Sequence, residues 1–168
     1  MMHMRKNVHR YSSVLVGVGS AIGFGVVFIV CVFFCITPTF GHAVIFIGNN
    51  NVPFSVEVAQ TRQARAQGLM RRKTLCHRCG MLFVFSQRTR HSFWMKNTPL
   101  SLDIFWIDDG RIVEITEHAT PMSTEVIIPS KEALQVLELP AGSAARYDIS
   151  VGDIVHIEYT EMSKEKIL

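Results

Sequence analysis

Residues 91–114 have the sequence HSFWMKNTPLSLDIFWIDDGRIVE, and this stretch decides the fold of the chain around it. Two apolar runs flank Lys96-Asn97-Thr98-Pro99, and Asp108-Asp109-Gly110 then leads into a third apolar run. Asp-Gly between alternating apolar segments is typical of a β-hairpin, because glycine tolerates the positive φ that such a turn requires. The stretch therefore predicts three consecutive antiparallel strands.

Short strands separated by turns are predicted on both sides of this stretch. β-branched and aromatic residues favour strands, and a run such as GMLFVF without any polar side chain is typical of a strand buried on both faces. One short helix is predicted between Thr61, which caps its first turn, and Gln67, with Gly68 ending it. The remaining predicted strands are a hairpin at residues 44–47 and 52–59, and strands at 80–85, 135–139 and 154–159.

These elements predict a mainly β domain over residues 44–160. The chain has 168 residues and 48% hydrophobic content, which favours a packed core over disorder. Six to eight short strands with a single short helix are typical of a compact β-sandwich or barrel-like domain. Residues 161–168 are polar and are predicted to form a flexible tail.

The amino terminus predicts export. Residues 14–36 form a run of 23 residues without a charged side chain, behind a basic head at residues 1–13 that carries Arg5, Lys6 and Arg10. A bilayer core requires about 20 apolar residues in a helix, and positive charge before the span favours a cytoplasmic amino terminus. We therefore expect an inner-membrane anchor or signal-peptide core, a linker at residues 37–43 and a periplasmic domain. The small residues Gly41 and Ala43 keep the alternative open that the leader is cleaved after Ala43 and the domain is secreted.

The distribution of charge is uneven beyond the anchor. From Val44 onward, 14 basic side chains balance 14 acidic ones, yet residues 62–96 hold nine basic side chains and no acidic one. If these nine residues fold onto one face, they would attract anionic lipid headgroups or an anionic envelope polymer. The alternative is neutralisation by the acidic second half of the chain across neighbouring strands. No nucleic-acid recognition motif is present, so we expect no nucleic-acid partner.

A family resemblance rests on motifs spread over most of the exported domain. Taken together, these motifs resemble the DUF192 family, and the resemblance implies a compact, mainly β, jelly-roll-like domain that is often exported. It implies no activity, because the family is known by its motif and not by a reaction. The sequence departs from the family pattern at Cys76-His77-Arg78-Cys79 and at Trp106. The motifs are Gly68-Leu69-Met70, Arg72, Leu75, GMLFVF at residues 80–85, FWMKNT at residues 93–98, Leu102-Asp103-Ile104, Gly110, Pro121, Val136-Leu137-Glu138 and Gly152-Asp153.

A polar and aromatic patch is the first candidate for a binding site. A carboxylate inside an apolar strand needs partners, and the amide of Asn97, the hydroxyl of Thr98 and nearby backbone amides are available to Asp103. The cluster either fixes the turn or forms a polar pocket beside Trp94 for a small polar or sugar-like ligand. The candidate ligand-binding residues are Arg72, Trp94, Lys96, Asn97 and Asp103.

An enzymatic role is the rival hypothesis. General acid/base catalysis by Asp103 would need a second group, and Glu114 or His118 on the next strand are the candidates for a hydrolase-type site. The sequence contains no Gly-x-Ser-x-Gly motif and no phosphate-binding loop. We therefore favour a non-catalytic domain, and we expect no cofactor.

Cys76 and Cys79 allow thiol or metal chemistry. In an exported domain the oxidising compartment favours a disulfide between them. A structural zinc site usually has four ligands, whereas Cys76, His77 and Cys79 supply three at most. Nearby methionines make a copper site conceivable, although methionine in an apolar motif is usually core packing.

Overall fold

A seven-stranded sheet forms the domain. The structure, a computed structural model, describes residues 40–48 and 52–160. The sheet order is β5-β4-β6-β3-β2-β1-β7, and all neighbouring strands are antiparallel except the parallel pair β2 and β3. The elements are β1 Gly41–Ile47, β2 Phe54–Ala59, α1 Arg62–Gln67, β3 Cys79–Thr89, β4 Leu102–Asp108, β5 Arg111–Ala119, β6 Ala133–Pro140, α2 Ser143–Arg146 and β7 Val155–Thr160.

The sheet curls into a half-barrel because the starts of its two edge strands meet. The backbone N–H of Val155 in β7 donates to Gly110 O at 2.8 Å, and the N–H of Ile112 in β5 donates to Asp153 O at 3.0 Å. The prediction of a mainly β, barrel-like domain is thus confirmed in its main features. A sandwich of two separate sheets is not formed, since one continuous sheet carries all seven strands.

Two apolar clusters lie on the two faces of the sheet. Alternation along β4 places Phe105 and Ile107 in the cluster inside the curl, and Ile104 and Trp106 in the cluster on the outer face. The outer cluster is covered by α1 and by residues 90–98, which cross that face as irregular chain. These covering segments make room for a cleft beside the outer core.

The Asp-Gly hairpin is present, but the predicted first strand of the meander is wrong. Asp109 and Gly110 have φ of 48° and 68° and join β4 to β5. The apolar run that directly precedes β4 forms no strand, and its residue Phe93 makes an isolated bridge with Ile127. The edge of β4 that does not face β5 pairs with β6. A strand far along the sequence therefore occupies the position that the sequence assigned to the preceding run.

The structure contains a second short helix that the sequence did not predict. The predicted helix is present as α1, with the Thr61 side chain accepting the N–H of Ala64. The additional helix, α2, has only four residues, which is too short for an apolar period. The N–H of Ala144 within it donates to the distant side chain of Asp103. The predicted hairpin β1–β2 and strands β3, β6 and β7 are confirmed.

Neither helix within residues 40–48 and 52–160 has the length and apolar character needed to cross a bilayer. The predicted anchor at residues 14–36, the head at 1–13, residues 37–39 of the predicted linker and the tail at 161–168 lie outside the described residues. The last three residues of the predicted linker, Gly41, His42 and Ala43, form the start of β1 and pair with neighbouring strands.

Candidate functional site

Asp103 is a buried structural carboxylate. It is fully shielded from solvent and accepts two backbone N–H groups, that of His118 at 2.9 Å and that of Ala144 at 3.0 Å. Backbone amides were among its expected partners, whereas the bonds recorded for Asp103 involve neither Asn97 nor Thr98. Because both oxygens are engaged and inaccessible, the geometry favours a role in fixing β5 and α2 over contact with a ligand.

The two partners considered for a hydrolase site serve local structure. One oxygen of Glu114 accepts the N–H of Ser130 at 2.7 Å, the hydroxyl of Ser130 at 2.8 Å and the N–H of Lys131 at 3.0 Å. The group of His118 that donates a hydrogen bond to Asp103 is its backbone N–H, not its imidazole. This arrangement does not assemble a paired acid and base around Asp103.

Arg72 lies apart from the other candidate residues. Its guanidinium forms a bidentate pair with the Glu57 carboxylate, with Nη2 at 2.7 Å from Oε2. The hydrogen bond to Glu57 raises the pKa of Arg72, against the opposing effect of its partial burial. Arg72 and Glu57 line a depression of about 550 Å³ that also contains the two cysteines. With its charge matched there, Arg72 is less suited to bind an anion.

Trp94, Lys96 and Asn97 remain close to one another. The Trp94 side chain is 47% exposed, and Lys96 Nζ lies 5.1 Å from its ring centroid. Asn97 has φ of 57° and its carbonyl accepts the N–H of Arg71 at 2.7 Å, so it acts as a turn residue. Of the five candidates, Trp94 is the one that lines a second depression, a cleft between α1 and residues 90–98.

Cys76 and Cys79 are joined by a disulfide. His77 does not join them, because its Nδ1 lies 2.8 Å from a guanidinium nitrogen of Arg146. Within residues 40–48 and 52–160 no group of three or more His, Cys, Asp or Glu side chains is arranged to hold a metal ion.

The nine basic residues of the 62–96 region divide into paired and unpaired groups. Arg72 pairs with Glu57, and Arg88 Nε lies 3.0 Å from Asp108 Oδ1, although this ion pair lacks the angle of a good hydrogen bond. Across the described part of the chain, no other member of the nine lies within ion-pair distance of a carboxylate. Of the two pairs, only that of Arg88 with Asp108 links the basic stretch to the acidic second half of the chain, so neutralisation by that half accounts for little of the basic charge.

A cleft of about 460 Å³ lies between α1 and residues 90–98. Arg62 and Arg65 of α1 line one side and Arg90 lines the other, with Trp94 beside it. Arg65 Nη1 donates to Gln60 O at 2.5 Å and to Val84 O at 3.0 Å. The central carbon of its guanidinium lies 5.0 Å from the Phe85 ring centroid. The volume falls in the range typical of small-ligand sites.

Residues 90–98 are joined to neighbouring segments by hydrogen bonds and by packing against the outer cluster. Phe93 exchanges two backbone hydrogen bonds with Ile127, at 3.0 and 2.8 Å, and Met95 is buried in the outer cluster. The indole of the fully buried Trp106 donates to His91 O at 2.9 Å. Trp106, one of the departures from the family pattern, thus supports the wall of the cleft from below.

Glu138 lies at the floor of this cleft. It belongs to β6, is 5% exposed and stands between Met81 of β3 and Ile104 of β4. Within residues 40–48 and 52–160 the carboxyl of Glu138 has neither a hydrogen bond nor an ion pair, although its backbone belongs to the sheet. Burial raises the pKa of its carboxyl to about 8, so the group is mainly protonated at pH 7.

Sequence reasoning missed Glu138 as a site residue. The signal was present, because QVLEL places a carboxylate inside an otherwise apolar strand, as in the case of Asp103. The two differ in their surroundings: Asp103 faces backbone N–H groups inside the curl, whereas Glu138 faces the cleft on the outer face.

The comparisons with known proteins agree with this architecture. The model of DUF192, described as an uncharacterized ACR, matches residues 44–157. The chain belongs to the DUF192 family. Several motifs on which the resemblance to DUF192 rests meet at the cleft, which is lined by Gly68, Leu69, Met70, Phe83, Phe85, Phe93, Trp94, Thr98 and Glu138.

Two solved structures resemble this DUF192 chain. A presumed transcription regulator from Sinorhizobium meliloti 1021 is 35% identical, with a TM-score of 0.65, over 70% of this chain and 93% of that one. A protein of unknown function from Novosphingobium aromaticivorans DSM 12444 is 32% identical, with a TM-score of 0.63, over 70% of this chain and 84% of that one. No curated protein matches.

Proposed function

We propose that this chain is an exported, membrane-tethered binding domain with no catalytic role, and that its ligand is a segment of an anionic envelope polymer. One observation carries the proposal: Arg62, Arg65 and Arg90 line the same cleft as the half-exposed Trp94, and none of the three is paired with a carboxylate in the described residues. Guanidinium groups suit carboxylate and phosphate, and an exposed indole suits the apolar face of a sugar ring.

The assignment to the exterior of the cytoplasmic membrane is supported by two features. The uncharged run at residues 14–36 behind a basic head favours anchoring with the domain outside. The disulfide between Cys76 and Cys79 suits an oxidising compartment. Cleavage after Ala43 would release the domain in secreted form without Gly41, His42 and Ala43 of β1, none of which lines the cleft.

A binding role is favoured over hydrolysis. Asp103, the carboxylate first considered for catalysis, is engaged by two backbone amides and has no solvent access. Among the described residues that line the cleft, Glu138 carries the one carboxyl, whereas glycoside hydrolysis typically employs two across the bond to be cleaved.

The test is a calorimetric titration in which oligogalacturonate, a chain of sugars that carry carboxylates, is added to the purified full chain. The protein is kept in solution by a non-ionic detergent. We expect saturable binding that weakens at least tenfold in the double variant Arg62→Gln/Arg90→Gln. The control is Lys73→Gln/Arg78→Gln, which removes the same charge from exposed positions outside the cleft.

Two further probes and one assay discriminate the alternatives. A neutral dextran oligosaccharide tests whether the anionic groups matter, and a DNA duplex tests the role suggested by the name of the Sinorhizobium protein. Equal weakening in both double variants, equal binding of dextran, or tighter binding of DNA would each contradict the proposal. Release of reducing ends from the oligogalacturonate would favour an enzyme instead.

A further inference from the structure

We propose that Glu138 is the specificity-determining residue of the cleft, where its protonated carboxyl donates a hydrogen bond to an anionic oxygen of the ligand. The inference rests on the proposed function and deepens it, because it specifies which group of the ligand contacts Glu138 at the floor of the cleft. That group is a carboxylate or phosphate oxygen.

The argument begins with the position of the Glu138 side chain. It is buried between the apolar side chains of two neighbouring strands, yet it borders the cleft, so a ligand can reach it. Among the described residues it has neither a hydrogen bond nor an ion pair. A nearly buried carboxyl that has no partner within the described residues is open to a hydrogen bond with a ligand that enters the cleft.

The surroundings decide the protonation state of Glu138. The charged and titratable groups that line the cleft are Arg62 and Arg65 from α1, and Arg90 and His91 from the segment after β3. None lies within ion-pair distance of Glu138 in the described structure, so their attraction does not offset desolvation. Burial raises the pKa of Glu138 to about 8. At neutral pH the side chain therefore carries an O–H donor and no charge.

A neutral donor at the floor complements cations at the rim. An anion placed among the arginines would be repelled by an ionised carboxylate, whereas an O–H group gives it a short charge-assisted hydrogen bond. Above the pKa of Glu138 the ligand can bind in this way only if a proton is taken up with it. The association constant should then fall by about tenfold for each pH unit.

The experiment measures association constants from pH 6.5 to 9.5 for the full chain and for Glu138→Gln. The probes are trigalacturonate, which presents carboxylates, and glycerol phosphate, which presents a phosphate. Glutamine keeps an N–H donor and nearly the same shape but does not titrate in this range. Both proteins share Arg62, Arg65, Arg90 and His91, so their difference isolates Glu138.

We expect the wild-type affinity to fall steeply above about pH 8, while the affinity of the glutamine variant shows no such fall. Calorimetry in two buffers of different ionisation enthalpy should show uptake of nearly one proton at pH 9 by the wild type and none by the variant. The probe with the stronger pH dependence identifies which anionic oxygen meets Glu138.

Parallel pH profiles for the two proteins, or binding without proton uptake at pH 9, would overturn this inference while leaving anion binding intact. Failure of the wild type to bind either probe at pH 6.5 would overturn the proposed function as well. The variant Glu138→Ala tests the donor role directly, because alanine lacks a side-chain donor. It should bind about tenfold more weakly than the wild type at pH 6.5. Unchanged binding by this variant would also contradict a donor role.

Discussion

The carboxylate of Asp103 accepts the backbone N–H of Ala144 at 3.0 Å, and so a strand in the middle of the sheet holds a helix 41 residues further along the chain. Its other oxygen accepts the N–H of His118 at 2.9 Å, where the backbone has φ of 53°. One buried side chain thereby replaces the backbone partners that the end of β5 and the short helix α2 lack.

Asp103→Ala should destabilise the fold. The substitution leaves two backbone N–H groups without their acceptor, at roughly 1–3 kcal/mol for each buried group, so we expect a loss of about 3 kcal/mol. Urea unfolding at pH 7, followed by tryptophan fluorescence, measures it. The exposed Glu117→Ala on the same hairpin is the control and should change stability little. An equally small effect of Asp103→Ala would contradict the structural role.

Gly80→Ala should separate β3 from β6. A Cβ on Gly80 would lie 2.3 Å from the backbone oxygen of Glu138, a contact that a rotamer change cannot relieve. We expect a loss near the upper end of the roughly 1–3 kcal/mol typical of overpacking, together with a change in the cleft floor. The matched control is Gly41→Ala, whose Cβ would meet Val58 at an ordinary 3.5 Å. Thermal unfolding of the two variants should therefore differ clearly, and similar midpoints would argue against the close approach.

The burial of Glu138 should make stability depend on pH. Its pKa is about 8 in the folded chain against an ordinary value of 4.5, so the folded state binds the proton more tightly. The stability that this tighter proton binding contributes is fully present below the pKa of Glu138 in the unfolded chain. It is lost as the pH rises through about 8, the pKa in the folded chain. Relative to Glu138→Gln, the wild type should lose about 1.4 kcal/mol of unfolding free energy per pH unit between about pH 5 and 8.

The measurement compares denaturant unfolding of the two proteins at several pH values without any ligand. Because other titrating groups are common to both, they cancel in the difference. A difference that stays constant from pH 5 to 8 would show that the Glu138 carboxyl is well solvated.

The disulfide should contribute modest stability and leave binding unaffected. It closes a loop of four residues, for which chain entropy predicts about 2 kcal/mol. Cys76→Ser/Cys79→Ser should therefore unfold at a lower temperature and still bind oligogalacturonate as the wild type does, because the cysteines line a different depression. Peptide mapping of protein alkylated without reductant should recover the two residues as a linked pair. Recovery of both as alkylated thiols would contradict the bond.

Elements whose causes are local could be predicted from the sequence. The Asp108-Asp109-Gly110 turn, the Thr61 cap and the apolar run of β3 each depend on residues close in the chain, and the structure contains all three. The prediction of the first strand of the meander was wrong because segments compete to pair with the edge of β4, and the outcome does not depend on closeness in sequence. Phe93 is followed by a turn at Lys96 and Asn97, and β6 takes the free edge of β4 instead.

The sequence by itself determined a mainly β domain of the DUF192 family, the hairpin at its centre and the uneven distribution of basic side chains. Only the tertiary structure decided which carboxylate faces a partner and which faces a cleft. Asp103 and Glu138 both interrupt apolar strands, but backbone N–H groups from distant segments satisfy the first, whereas α1 and residues 90–98 leave the second open. The physical reason is that the environment of a buried carboxyl group is built by segments far apart in sequence, and no local pattern encodes them.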